Sequence, residues 1–175
     1  MEKLRIASVD RLTEAEWLQE ICGGSFKRYY PGFDDWYCSK VLPGIGSSRR
    51  VLKAVSGRRL AGICILKDDG DEKKICSLRV DVNHRRQGVG TALIAASIEL
   101  LNDERPLITA PQEVMPSLAP LLKRFGFEAT AECRGLYRKN ASEFIFNGVP
   151  GSGFQIDAMN REQLLYSGVS GWAQK

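Results

Sequence analysis

The stretch from Leu78 to Leu101 constrains this 175-residue chain more than any other. A β-prone run, LRV, leads into the basic loop DVNHRRQ, and Gly88 and Gly90 then open the segment VGTALIAASIELL, in which Glu99 is the only charged residue. A helix that is apolar on nearly every side is not stable in water by itself and has to be covered, most simply by a sheet. The chain is therefore expected to be an α/β protein with this helix buried on strands. The same segment has a chemical consequence. The first amides of a helix lack intrahelical acceptors and the helix dipole adds partial positive charge there, so a strand, a glycine loop and a helix N-terminus together make an anion site. Glycines let the backbone approach an anion with no Cβ in the way. Arg85 and Arg86 add guanidinium donors suited to phosphate oxygens. Two familiar phosphate loops do not fit. A dinucleotide-binding G-x-G-x-x-G beginning at Gly88 needs glycine where Leu93 stands, and a P-loop needs G-K-[ST], whereas Gly90 is followed directly by Thr91.

The rest of the chain supplies strands for that helix. Residues 3–9 alternate in polarity and read as a strand. Thr13, with Glu16 three residues on, has the pattern of a capping box and starts a short helix that runs to Gly23. Asp34 or Asp35 caps a second helical stretch carrying Trp36, Tyr37, Val41 and Leu42, which Pro43-Gly44 ends. Three β-prone runs, 49–55, 59–67 and 73–82, are separated by Ser56-Gly57 and by DDGDE and form an antiparallel meander. Beyond the buried helix come a short strand at 106–110, a helix capped by Ser117 with Pro120 in its first turn and Gly126 just past its end, and strands at 127–133 and 136–146. The order is β-α-α-β-β-β-α-β-α-β-β. It specifies an α/β (α+β) fold with a mixed, mostly antiparallel sheet of six or seven strands and helices on both faces.

Composition narrows the function. The length suits one domain, 1–148, plus an appendage, 149–175, since domains run to roughly 100–200 residues. No run approaches the roughly 20 consecutive apolar residues that span a bilayer, and the charged N-terminus lacks a signal peptide's apolar region, so the expected compartment is the cytosol and no membrane is involved. Five cysteines, Cys22, Cys38, Cys64, Cys76 and Cys133, are scattered and never spaced C-x-x-C, which fits reduced thiols better than a disulfide framework or a zinc site. His84 is the only histidine, so multi-histidine metal sites are excluded and any histidine-dependent nucleophile would have to use it. Its place in the basic loop suggests exposure. The net charge of +4 suits an anionic ligand but falls short of a nucleic-acid footprint, because the basic doublets are dispersed and lack interleaved aromatics.

Taken together, these residues resemble the GNAT superfamily of acyl-CoA-dependent N-acyltransferases. Arg85-Arg86-Gln87-Gly88-Val89-Gly90 matches that family's Q/R-x-x-G-x-G/A motif, and Leu78-Arg79-Val80 precedes it where the family's fourth strand meets the cofactor. Phe125-Gly126-Phe127 is similar to the family's G-F step into the sixth strand. The resemblance covers residues 3 to 147. It implies acetyl-CoA as cosubstrate and no metal. The amides of Arg86, Gln87, Gly88, Val89, Gly90 and Thr91, with Arg85 beside them, would hold the pyrophosphate of coenzyme A, and the main chain of Leu78, Arg79 and Val80 would pair with its pantetheine arm like an added strand. It further implies an N-acetyltransferase acting on the primary amine of a small molecule or a protein.

The catalytic groups are less defined. In the family a carboxylate or water commonly takes the amine proton, and a tyrosine four residues before the glycine of the G-F step protonates the leaving thiolate. Here that position is Leu122, which departs from the pattern and motivates an alternative, a catalytically degenerate acyl-CoA-binding regulatory module. Tyr137, near the start of the last hairpin strand, is the nearest substitute phenol, although a tyrosine there more commonly packs on the sheet. Glu143, an isolated charge on the same strand, is a candidate base or amine anchor, although such a residue more commonly faces water. Cys76 shares a strand face with Leu78 and Val80 and reads as a buried structural thiol. In the tail, Phe154, Ile156, Met159, Leu164, Leu165, Tyr166 and Trp172 are too apolar for a solvated linker. They are expected to dock on the domain or on a partner subunit, which admits a homodimer.

Overall fold

The structure, a computed structural model, describes residues 3–10 and 12–148, without the side chains of 12, 16, 17 and 19–23. Its elements run β1 (Leu4–Ser8), α1 (Leu12–Lys27), α2 (Phe33–Trp36), β2 (Arg49–Ser56), β3 (Arg59–Asp68), β4 (Lys73–Val80), α3 (Val89–Leu101), β5 (Leu107–Pro111), α4 (Met115–Arg124), β6 (Ala129–Arg134) and β7 (Ser142–Phe146). That is the mixed α/β order the sequence specifies, with seven strands where six or seven are expected. The chain divides into two compact units that part between Pro106 and Leu107. Among the described residues no helix is long and apolar enough to cross a membrane.

In the first unit the strands lie in the order β1-β2-β3-β4, every neighbour antiparallel. Ala61 to Leu66 of β3 are all buried, which explains the unbroken apolar run AGICIL: a strand covered on both faces has no polar side to present. On one face Val51, Ile63 and Ile65 pack with Ala15, Leu18 and Phe26 of α1 and with Phe33, Tyr37 and Val41. Full burial of Leu18, Ile63 and Ile65 contributes roughly 1.5–3 kcal/mol each. The Tyr37 hydroxyl donates to the Ala15 carbonyl at 2.8 Å, so the one polar atom this ring brings into the core is satisfied. On the other face α3 covers Gly62 and Cys64, whose sulfur lies 3.3 Å from the Ser97 hydroxyl. Helices therefore flank the meander on both sides.

In the second unit the order is β5-β7-β6, again antiparallel. Leu107, Ala131, Cys133 and Ile145 form its apolar cluster. α4 ends in a Schellman motif. The Phe127 amide donates to the Leu122 carbonyl at 3.1 Å and the Gly126 amide to Lys123 at 3.0 Å, with Gly126 at φ +72°.

Several element boundaries differ from expectation. α1 passes Gly23 and continues to Lys27, because Phe26 packs in the core and holds the last turn despite the glycine pair. It begins at Leu12, so Thr13 lies inside the first turn rather than at a cap. The second helix is four residues from Phe33 with Gly32 as its cap, followed by a π turn over Tyr37–Val41 and a 3₁₀ turn over Leu42–Gly44. α4 begins at Met115 with Pro116 in its first turn; Ser117 is internal and donates to the Val114 carbonyl at 2.9 Å, and Pro120 is internal too. The last strand starts at Ser142, not 136. Residues 135–141 form a loop closed by the Gly135 amide on the Ala141 carbonyl (3.0 Å), with Gly135 at φ +83°. The tail expectation falls on residues outside the described ones.

Candidate functional site

β4 ends at Val80, and the next residues fold back on themselves before α3 begins. The Asp81 amide still donates to the Ala61 carbonyl at 2.9 Å, which continues the β3 pairing one step past the strand. Its carboxylate then caps a 3₁₀ turn, Val82–His84: Oδ1 accepts from the Asn83 amide and lies 3.0 Å from His84 Nδ1. The His84 side chain, and after it the Asn83 amide, hold the Asp81 carboxyl below its usual range. His84 is thus half-buried and engaged rather than simply exposed. Gln87 Nε2 donates to the Asn83 carbonyl at 2.9 Å. Side-chain and backbone bonds fix the loop before any ligand arrives.

At its end the loop turns twice through the left-handed region, at Arg86 (φ 60°) and Gly88 (φ 83°). For Gly88 the space around a Cβ is empty, so its backbone angle, not crowding, is what glycine answers. Arg86 adopts the same region with a side chain, a conformation that costs about 1–2 kcal/mol. No side chain caps α3 at Gly88, and the first helical bond runs from the Ala92 amide to the Gly88 carbonyl at 2.9 Å. The amides of Val89, Gly90 and Thr91 consequently precede any intrahelical acceptor and stand at the positive end of the helix dipole. Arg85, Arg86, Gln87 and Gly88 are exposed, whereas Val89 is buried and anchors the turn.

The approach of α3 to the strands depends on Gly62, which the sequence reading did not single out. A Cβ there would lie 2.6 Å from the Arg79 carbonyl oxygen, 3.1 Å from Leu93 Cδ1 and 3.2 Å from Val89 Cγ1. Gly62 pairs with Val80, Ile63 with Arg79 and Cys64 with Leu78, so the strand segment singled out from sequence lies directly beneath the first turn of α3. The β3–β4 register shifts between Ile65 and Leu66, leaving Cys76 as the extra residue of a bulge. Cys76 is half-buried against the α1–α2 core, and burial pushes its thiol up, as expected of a structural cysteine. A lone glycine in an apolar strand run is the signal that points to such a contact.

Leu78, Arg79, Val80, Arg85, Arg86, Gln87, Gly88, Val89, Gly90 and Thr91 are brought together in the first unit as one strand end, loop and helix start. Tyr137 and Glu143 belong to the second. Tyr137 sits in the 135–141 loop rather than on a strand and is 37% exposed. Glu143 is 3% exposed on β7, paired with Pro111 of β5 and Cys133 of β6. It does not face water. Leu122, in the position where a tyrosine was sought, is fully buried. Among the described residues no group of three or more His, Cys, Asp or Glu is arranged to hold a metal ion.

A seven-strand α/β chain with a glycine loop and an uncapped helix start belongs to a fold class populated by acetyltransferases. The structure of the ribosomal-protein-S18-alanine N-acetyltransferase from Escherichia coli matches with TM-score 0.63 at 18% identity over 86% of this chain and 97% of that one. Ard1 from Thermoplasma volcanium matches with TM-score 0.62 at 20% identity over 82% and 95%. NAA60 from Arabidopsis thaliana in complex with acetyl-CoA gives 0.60 at 17% over 82% and 97%. No curated protein matches the chain by sequence. Residues 40–149 match the Acetyltransferase (GNAT) domain, and the chain belongs to that family.

Proposed function

We propose that the chain is an acetyl-CoA-dependent N-acetyltransferase that transfers the acetyl group directly to a primary amine of a small molecule or a protein. The observation that carries this reading is the uncapped N-terminus of α3 behind Gly88, where three amides have no intrahelical acceptor and two exposed arginines stand in the loop just before them. The amides from Arg86 to Thr91 would hold the pyrophosphate of coenzyme A, with Arg85 and Arg86 as charged donors. The main chain of Leu78, Arg79 and Val80 would carry the pantetheine arm. The cosubstrate supplies an activated acyl group on a thiol that leaves once protonated. An acceptor ammonium has no lone pair for attack, so a base must take its proton first. Glu143, a carboxylate on β7 that is 3% exposed, is the candidate base. Tyr137 is the candidate acid for the thiolate. Compartment and tail complete the proposal: a cytosolic enzyme whose residues 1–148 form the acyltransferase domain and whose residues 149–175 dock on it or on a partner subunit.

A thiol-release assay over a panel of amines tests the reading. It predicts release with at least one amine class, and a loss of roughly 10²–10⁴-fold in kcat for Glu143→Gln if that carboxylate is the general base. Coenzyme A binding with no release across the panel would favour the regulatory module instead.

A further inference from the structure

In the second unit three short segments meet at one end of the sheet. β5 finishes at Pro111, whose register partner is Glu143 of β7, and a 3₁₀ turn, Gln112–Val114, follows directly. Gln112 Oε1 accepts from the Ser142 amide at 3.3 Å, so the turn is bonded to the residue immediately before Glu143. The 135–141 loop, which carries Tyr137, reaches the same turn through Arg138: Nη1 lies 2.7 Å from Glu113 Oε1, and Nη2 lies 2.8 Å from Oε2. The chain around both candidate catalytic groups is thus tied to the end of β5 by the side chains of two consecutive residues, Gln112 and Glu113.

The bonds of this loop do two different things. The Gly135 amide on the Ala141 carbonyl (3.0 Å) and the Ala141 amide on the Arg138 carbonyl (3.1 Å) are internal, so they set the loop's shape but not its direction relative to β5. The guanidinium–carboxylate pair joins residues 25 apart in the chain and does fix that direction. A fork that meets two carboxylate oxygens constrains angle as well as distance, which a single hydrogen bond does not. Folding energy is a poor account of such a pair. Its side chains are 23% and 36% exposed, and ion pairs in contact with water contribute little to stability. Geometry matters more where a reacting group sits on the same loop, because a displacement of about 1 Å can cost roughly 10²-fold in rate.

We propose that Arg138, anchored by Glu113, is a positioning residue for acetyl transfer, its fork fixing the place of the Tyr137 hydroxyl. The catalytic half rests on the reading of Tyr137 as the acid for the thiolate; the mechanical half, that Glu113 holds Tyr137 in one place, does not. Lysine keeps the charge of arginine but not its fork, so direction and charge can be separated by substitution.

Full-length protein labelled with fluorotyrosine reports the mechanical half by fluorine NMR, the Tyr137 signal being assigned by its loss in Tyr137→Phe. In Glu113→Ala, a change outside the loop, that signal is predicted to shift or broaden while circular dichroism and melting temperature stay near those of wild type. An unchanged Tyr137 signal in Glu113→Ala would overturn the proposal, whatever the chain does with acetyl-CoA. Kinetics test the catalytic half. Arg138→Gln and Arg138→Lys should each lower kcat roughly ten- to hundredfold at constant KM for acetyl-CoA, a split that a merely stabilising pair would not produce. Wild-type kcat in Arg138→Lys would show that charge rather than direction matters and overturn the positioning role. Unchanged kcat in both variants, or a loss only in step with the folded fraction, would overturn it too. Wild-type protein that acetylates no amine would count against the enzyme reading and the catalytic half with it, and the fluorine signal would still decide whether the pair holds the loop.

Discussion

Two glycines near the start of α3 serve opposite physical needs, and substitution separates them. At Gly62 the backbone angle is ordinary but a Cβ would meet the Arg79 carbonyl at 2.6 Å, and neither that strand nor the first turn of α3 can yield cheaply. Gly62→Ala should therefore cost about 1–3 kcal/mol, the usual range for overpacking, and weaken acetyl-CoA binding with it. At Gly88 there is room but φ is +83°, so Gly88→Ala should cost only about 1–2 kcal/mol. Urea denaturation of the two variants measures both; a Gly62→Ala protein as stable as wild type would show that α3 does not depend on this contact. The thiols offer a second test at this scale. Cys38 is exposed, whereas burial pushes Cys64 up to about 12, the Ser97 hydroxyl offsetting only part of the shift. At pH 8 a thiol reagent should label Cys38 rapidly and Cys64 only at the rate of unfolding. Gly88 was legible in the sequence because its loop is contiguous. Gly62 was not, because its reason lies in residues 17 and more positions away along the chain.

Asp81 ties the turn Val82–His84 to the end of β4, and its titration governs how well that element is held. Its folded carboxyl is held below the ordinary value, first by His84 and then by the Asn83 amide. A depressed carboxyl stabilises the folded form above its unfolded value and loses that contribution as pH falls through the folded one. Hydrogen exchange at the Asn83 amide should accordingly show protection near neutrality that fades below about pH 4, the usual range for an aspartate. In Asp81→Ala the protection should be low at every pH; unchanged protection would mean that the turn is held by other bonds. In the second unit the 135–141 loop has its own clamp, a two-pronged pair from Arg138 to Glu113 at 2.7 and 2.8 Å. At element scale the strands of the meander and α3 were readable, since period and turn residues are local. The short last strand and the long α1 were not: β7 shortens because Gly135 starts a closed loop, and α1 lengthens because Phe26 reaches the core.

For the whole chain, the order of elements could be read because each carries its own pattern, and the family motif because RRQGVG is a contiguous piece of backbone chemistry. The catalytic groups could not be read in the same way. Tyr137 and Glu143 differ in exposure, 37% against 3%, through strand pairings and a loop closure that alternation alone does not distinguish. The tail belongs to this scale too. If residues 149–175 cover apolar surface, truncation after Gly148 should lower the melting temperature or change the oligomeric mass; a truncated protein identical in melting, mass and rate would show the tail to be idle. The central claim, that the uncapped start of α3 receives the pyrophosphate of acetyl-CoA, is tested most directly by calorimetric titration of acetyl-CoA into wild type and Gly88→Glu, with circular dichroism to confirm that the variant is folded. Saturable binding to wild type, abolished in the folded variant because a carboxylate now stands where the phosphate would sit, is the predicted result. Wild-type protein that ignores acetyl-CoA, or a folded Gly88→Glu that binds it equally well, would contradict the claim.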